Sequence, residues 1–389
     1  MTLFVNRSRT TRFVDVDIGA VLSRDEALAQ AGWGNRLRTA SFDDHVKNGV
    51  PPVTRPDGYR PIGGYTPLPP RTRWSLKGGA FVDGAAIEAP WPVHDVTLAD
   101  IEAVARRHLG ILRGARCVVE LSGGLDSSIV LDVLRAVGAD VLPIGFVSDR
   151  FEFRTERAIQ QIFIDAPTPA IALNYDDALP FTRLDEAPLH VVPMVPSLFH
   201  VGHTAIASAA ALHGARFVCN GVGGDALLCE SFDGAAAHAL PFSHHGWGLY
   251  DAWPHEHVYA PRGMTYVPSY SLWPIPHLLW AMRRGNGEDV QKHFARRLFD
   301  GRLPRELTQY AYKTDHGGPF IDGLVAGRAS IATVALSAWR VNGHEALRPE
   351  RVLADVDRVI HLDDASLKRL LSTLSFATWI HAFVSKGIV

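Results

Sequence analysis

The residues with the clearest chemistry in this chain are eight in a row, Leu121-Ser-Gly-Gly-Leu-Asp-Ser-Ser128. Gly123 and Gly124 lack a Cβ, so the backbone can turn sharply and its amides can approach an anion closely. Ser122, Ser127 and Ser128 add hydroxyl donors. The preceding run, Ala115-Arg-Cys-Val-Val-Glu-Leu121, reads as a buried parallel strand, and Ser127 to Val137 reads as a helix with apolar residues at Ile129, Val130, Val133 and Leu134. A glycine turn that opens onto a helix N-terminus suits a phosphate, because unpaired N–H groups and the helix dipole both favour negative charge. Asp126 fits beside phosphates only when a cation accompanies them, which points to Mg2+. No lysine follows the glycines, so the loop is neither a Walker loop nor a GxGxxG dinucleotide turn.

The elements that would hold this loop follow from the alternation downstream. Val141 to Val147 reads as a strand, Thr155 to Phe163 as a helix, Ala170 to Leu173 as a strand, Thr204 to His213 as a helix and Ala215 to Cys219 as a strand. Upstream, Thr97 is placed to cap an amphipathic helix from about Leu98 to Leu109. Strands alternating with helices predict an α/β fold: a parallel sheet of about five strands with helices on both faces. Residues 50 to 72 are broken by Pro51-Pro52, Gly63-Gly64 and Pro67 to Pro70, which predicts a small β-rich module of short strands and loops over 1–92, followed by the main domain over 93–389. Beyond residue 230 the pattern turns mostly helical, with an aromatic, proline-rich stretch near 240–276.

Composition limits the rest. The 389 residues are 47% hydrophobic and 21% charged with a formal net charge of -2, which gives no global reason to expect nucleic acid or an anionic membrane as partner. Cys117, Cys219 and Cys229 are odd in number and lack metal-type spacing, which fits a reducing cytoplasm. No signal segment and no apolar run of membrane-spanning length is expected.

Ser122-Gly-Gly-Leu-Asp-Ser127 resembles the pyrophosphate loop of the ATP pyrophosphatase superfamily, and its context resembles the asparagine synthetase branch over about residues 95–325. Gly214-Ala-Arg-Phe-Val-Cys-Asn-Gly-Val-Gly-Gly-Asp225 resembles that branch's strand and GxGxDE turn; Leu184-Asp-Glu-Ala-Pro188 is similar to its leucine-aspartate-x-x-proline segment; Arg302-Leu-Pro-Arg-Glu-Leu307 with Tyr312-Lys313 resembles the element leading to its catalytic lysine. The resemblance implies ATP and Mg2+ as cofactors. It implies a nucleotide site of Leu121, Ser122, Gly123, Gly124, Asp126, Ser127, Ser128, Phe146, Gly221, Gly223 and Gly224, with Asp126 and Asp225 as metal ligands and Lys313 over the α-phosphate. Glu230 is the candidate for the base that accepts the amine proton.

Two departures shape the expected reaction. Thr2 stands where glutamine-dependent asparagine synthetases carry a cysteine, and 92 residues are too few for their glutaminase domain; Gly64-Tyr-Thr-Pro-Leu-Pro-Pro70 with Trp74 resembles only a remnant of its tail. Gly-Gly-Asp-Ala-Leu-Leu-Cys229 is similar to the asparagine synthetase homologues that close lasso peptides. That resemblance implies a macrolactam synthetase acting on a precursor peptide, with a leader peptidase and a leader-recognition protein as partners. A small-substrate amide synthetase and an inactive binding scaffold are the alternatives. Phe242 to Trp273, rich in Trp and Tyr, is either a peptide-pocket wall or an aromatic core; its His244, His245, His255 and His257 lack a zinc spacing.

Overall fold

The computed structural model describes residues 2–6, 12–15, 20–48, 65–68, 72–77, 80–86, 97–150, 153–164, 170–224, 228, 252–271, 292–309, 317–361 and 364–389. The first third contains strands β1 (Thr2–Asn6), β2 (Arg12–Asp15), β3 (Ala20–Leu22), β4 (Tyr65–Leu68), β5 (Thr72–Lys77) and β6 (Ala80–Ala86). They form two three-stranded antiparallel sheets, in the orders β1-β5-β6 and β3-β2-β4.

Over residues 24–48 the expectation of short strands and loops is corrected: helices α1 (Arg24–Leu28), α2 (Trp33–Thr39) and α3 (Phe42–Asn48) stand there. Trp33 and Leu37 sit four apart on one face of α2, a helical period that the neighbouring glycines and polar residues obscured. That face is buried against the end of the chain. Trp33 packs on Phe383 with ring centroids 4.3 Å apart, Phe42 meets Phe376 edge-on, and Asn342 Nδ2 donates to the carbonyls of Leu37 and Ala40 at 2.8 and 3.0 Å. Residues 24–48 thus share one core with the C-terminal helices.

The centre of the molecule is the α/β unit. Helix α4 (Leu98–His108) starts at the expected cap, where Thr97 and Asp100 exchange backbone and side-chain bonds. Then follow β7 (Arg116–Glu120), α5 (Leu125–Val137), β8 (Asp140–Val147), α6 (Arg154–Ile164), β9 (Ile171–Asn174), α7 (His200–Leu212), β10 (Phe217–Asn220) and β11 (Thr265–Pro268). The five strands are all parallel and lie in the order β11-β10-β7-β8-β9. β7 is central and apolar on both sides: Val118 packs with one core, Cys117 and Val119 with the other. Four of the strands stand where the sequence predicts them. The fifth, β11, lies inside the stretch read as an aromatic insertion.

The chain closes with α8 (His293–Leu298), α9 (Arg305–Thr308), α10 (Gly317–Ala326), α11 (Arg328–Asn342), α12 (Pro349–Ile360) and α13 (Asp364–Ser385). One further expectation is corrected. Val195–Leu212 is an 18-residue stretch, without Asp, Glu, Lys or Arg, whose mean hydropathy of 1.2 makes it long and apolar enough to cross a membrane. Here it packs behind the sheet, with Leu198, Ile206, Ala207, Ala209 and Ala210 in the core shared with the C-terminal helices.

Burial pushes His45, His190, His200 and His203 down to about 4. Each is therefore neutral in the fold at pH 7, whereas the unfolded chain takes up a proton near pH 6.5. Because the unfolded state binds more protons between these values, stability is full above about pH 6.5 and falls as pH drops towards about 4, by up to about 1.4 kcal/mol per pH unit for each site. Urea unfolding at pH 7.5, 6.0 and 5.0 checks this. His45, whose Nε2 meets the Ser372 carbonyl and Ser375 Oγ at 3.1 Å, is the test position, and His45→Gln flattens the slope.

Candidate functional site

The spatial strand order reverses direction between β7 and β10: the chain moves outward from β7 through β8 to β9, then returns to build β10 and β11 on the other side. Crevices at such a switch point, outside the carboxyl ends of the strands, are where open α/β sheets bind ligands. A cavity of about 300 Å³ lies there, lined by residues at and beyond the carboxyl ends of β7, β8 and β10. Glu120, Ser122, Asp126 and Ser127 come from the first, Phe146 and Ser148 from the second, Asn220, Gly221 and Val222 from the third. Its outer wall is aromatic, with Phe153 and Tyr175 beside Phe146.

Helix α5 begins two residues earlier than expected, so Asp126, Ser127 and Ser128 occupy its first turn and Gly124 is its cap residue. Serines set the local geometry. Gly124 N–H donates to Ser122 Oγ at 3.1 Å, and the Ser127 and Ser128 hydroxyls both donate to the Gly124 carbonyl, at 3.2 and 2.8 Å. Gly123 adopts φ +89°, and a Cβ there would lie 2.7 Å from the Glu156 carbonyl, so glycine is required on both counts. The N-terminus of α5, with the positive end of its dipole, lies at the cavity end of the sheet.

The loop after β10 closes on this one. A Cβ on Gly221 would stand 2.8 Å from Ser127 N, and one on Gly224 would stand 2.5 Å from Asp126 Cγ. The fold therefore brings together Ser122, Gly123, Gly124, Asp126, Ser127, Gly221 and Gly224, and with them Leu121 and Phe146 as cavity lining. Ser128 is fully buried beneath the turn and holds Gly124 rather than facing the cavity. Gly223, at φ +87°, turns the second loop against Tyr270. Asp225, Glu230 and Lys313 lie outside the described residues, as do His244 and His245.

Three participants were not assigned to this turn from the sequence, Tyr270 having been read only as part of the aromatic stretch. Lys292, at the start of α8, places Nζ 2.5 Å from Asp126 Oδ2, and both side chains are largely buried. Gln160 on α6 donates from one amide nitrogen to the carbonyls of Phe146, Ser122 and Leu121 at 2.9, 3.2 and 3.3 Å, tying the serine-glycine turn to β8. Tyr270 donates its hydroxyl to the Asp126 carbonyl at 3.1 Å. None lies near the glycine motif in sequence, and no local signal marks them.

The described lining includes three carboxyls, on Glu120, Asp126 and Glu156, and no Lys or Arg. A polyphosphate would enter with a cation. The donor chemistry at the Asp126 end, a carboxylate in the first turn of α5 whose flanking serines Ser122 and Ser127 meet through their hydroxyls, is the hard-oxygen type that suits Mg2+.

Of the aromatic stretch, Trp253, Tyr259, Tyr266 and Tyr270 are all buried and none lines the cavity, so these four form a layer behind it. His190, Glu256 and His257 bring three ligand atoms within 4.8 Å of one another. Burial, and with it the charge of Arg24, lowers both imidazoles, and that neighbouring charge opposes a bound cation. Neither a family model nor a curated protein matches this sequence.

Proposed function

We propose that this protein is an ATP-dependent, AMP-forming amide ligase that adenylates a carboxylate at the switch-point cavity and passes the acyl group to an amine. The observation that carries the reading is the serine-glycine turn at the N-terminus of α5, closed by the glycine loop after β10 across the cavity mouth. An aromatic and apolar recess beside a phosphate-type turn suits a purine nucleotide, whose base stacks while its phosphates meet backbone N–H groups.

A carboxylate resists attack because its charge must be lost, so activation comes first. Its oxygen attacks the α-phosphorus, the bond to pyrophosphate breaks, and the acyl-adenylate then loses AMP to the amine. Mg2+ on Asp126 and Asp225 would neutralise charge on the departing pyrophosphate. The α5 N-terminus orients the phosphates, Lys292 balances the Asp126 carboxylate, and Lys313 is assigned to the α-phosphate on the resemblance to the asparagine synthetase branch.

That same resemblance makes the substrate a precursor peptide, with an Asp or Glu side chain activated and the freed N-terminal amine attacking, so that the product is a lasso-type macrolactam. Residues 1–92 would then be a reduced form of the glutaminase-type domain, and a leader peptidase and leader-recognition protein would deliver the peptide. The test is pyrophosphate release with Mg-ATP and a lasso core peptide, followed by mass spectrometry. Release with loss of one water from the peptide supports the reading. Release only with small amino acids replaces the peptide by a small substrate, and no release with any acyl substrate leaves a binding scaffold.

A further inference from the structure

Glu120 is the last residue of β7, two before the phosphate turn, and its part-buried side chain lines the cavity. It has no role in the nucleotide site described above. Tyr259, fully buried on a π-helical turn at His255–Tyr259, donates its hydroxyl to Glu120 Oε1 at 3.0 Å. Tyr259 is itself held by a parallel stack on Tyr266 (centroids 4.8 Å apart) and by His203 Nδ1, 3.4 Å from its hydroxyl. Tyr266 in turn meets Asn220, which also lines the cavity. Ile206 supplies an apolar wall. A carboxyl this enclosed, beside an apolar wall and braced from behind, is arranged to meet a ligand cation rather than solvent.

We propose that Glu120, oriented by Tyr259, is the amine-binding group of this cavity and takes the proton that the attacking amine must lose. The assignment rests on the amide-ligase reading and names the acceptor side of that site. In the step, the amine nitrogen forms a bond to the acyl carbon. The bond from that carbon to the AMP oxygen breaks, and AMP leaves with the electron pair. The bound ammonium gives its first proton to the Glu120 carboxylate, which becomes the acid and frees the nitrogen lone pair for attack, and the second N–H proton leaves on the phosphate of the departing AMP.

The charge state is suited to this exchange. Burial pushes Glu120 up to about 7, opposed by the Tyr259 hydrogen bond. The groups around it are Tyr259 and Tyr266, the imidazole of His203, which burial keeps neutral, and the buried thiol of Cys219; Arg262 acts on Tyr259. A group poised near the working pH is the efficient proton acceptor.

The test uses the full chain and n-butylamine as probe, which stays cationic from pH 6 to 8. Calorimetry in buffers of different ionisation enthalpy counts protons released on binding. At pH 6 the wild type releases up to one proton as Glu120 ionises against the ammonium, and at pH 8 almost none. Glu120→Gln binds at least tenfold more weakly and releases none. Tyr259→Phe keeps the shape but loses the bond that favours the carboxylate, so release persists at pH 8. Binding and proton release unchanged in Glu120→Gln overturn the assignment. A parallel arm compares amide formation with ATP–pyrophosphate exchange: their ratio falls at least 100-fold in Glu120→Gln, and an unchanged ratio also overturns it. A wild type that shows no exchange refutes adenylation, while the amine titration still decides Glu120.

Discussion

Pyrophosphate release falls at least a hundredfold when Asp126 is replaced by alanine, the scale of losing one charged group from a transition state, and stability falls with it. The two losses have different origins. Asp126 Oδ2 pairs with Lys292 Nζ at 2.5 Å, with only 18% and 12% of the two side chains exposed. Removing the carboxylate takes away the acidic group 2.5 Å from a largely buried ammonium, which costs about 3 kcal/mol. Replacing both partners, Asp126→Ala with Lys292→Met, removes that penalty and restores most of the stability, because an apolar pair of similar bulk satisfies the site. Activity stays lost in the double variant, since one of the two carboxylates assigned to the cation is still missing. Urea unfolding and pyrophosphate release, measured on the same three proteins, separate the effects. A double variant that regains pyrophosphate release would reduce Asp126 to a partner of Lys292.

Gly145→Ala unfolds more readily than any exposed glycine substitution in this chain, with an expected loss of about 2–3 kcal/mol from overpacking. Gly145 lies in β8 beside the end of β7, and a Cβ there would stand 2.3 Å from the Leu121 carbonyl and 3.2 Å from Gln160 Nε2. The nearest obstacle is backbone just past the end of β7, held to β8 by the Leu121 N–H bond to the Ile144 carbonyl, and it cannot rotate away. Displacing it also strains the three Gln160 bonds that hold Leu121, Ser122 and Phe146, so nucleotide affinity falls together with stability. Gly214→Ala is the control. Gly214 has φ +67° but open space around the missing Cβ, so only backbone strain of about 1 kcal/mol is lost. Equal costs for the two substitutions would sink the close-approach argument.

The two predictions probe different levels of the same construction. The Gly145 contact is between neighbouring strands and belongs to the sheet; the Asp126–Lys292 pair spans 166 positions and belongs to the way α8 folds back onto α5. Both converge on the turn at Ser122 to Ser127.

What the sequence determined by itself is local. Cys117-Val-Val119 is apolar without alternation, so it reads as a strand buried on both faces, and it is one. Gly123 and Gly124 with flanking serines specify a tight turn into a helix, because the hydrogen bonds that shape it run between residues two to five apart. Thr97 with Asp100 caps α4 for the same reason. Tertiary structure alone decided the rest. β11, with Tyr266 and a terminal proline, is a strand only because β10 offers it a parallel edge. Helices α2 and α3 exist where a loop was expected because Trp33 and Phe42 find Phe383 and Phe376 more than 300 residues away. Glu120, Gln160 and Lys292 carry no motif: each is an ordinary side chain until the crossovers bring it to the switch point, and contacts between distant segments leave no period or spacing in the chain that makes them.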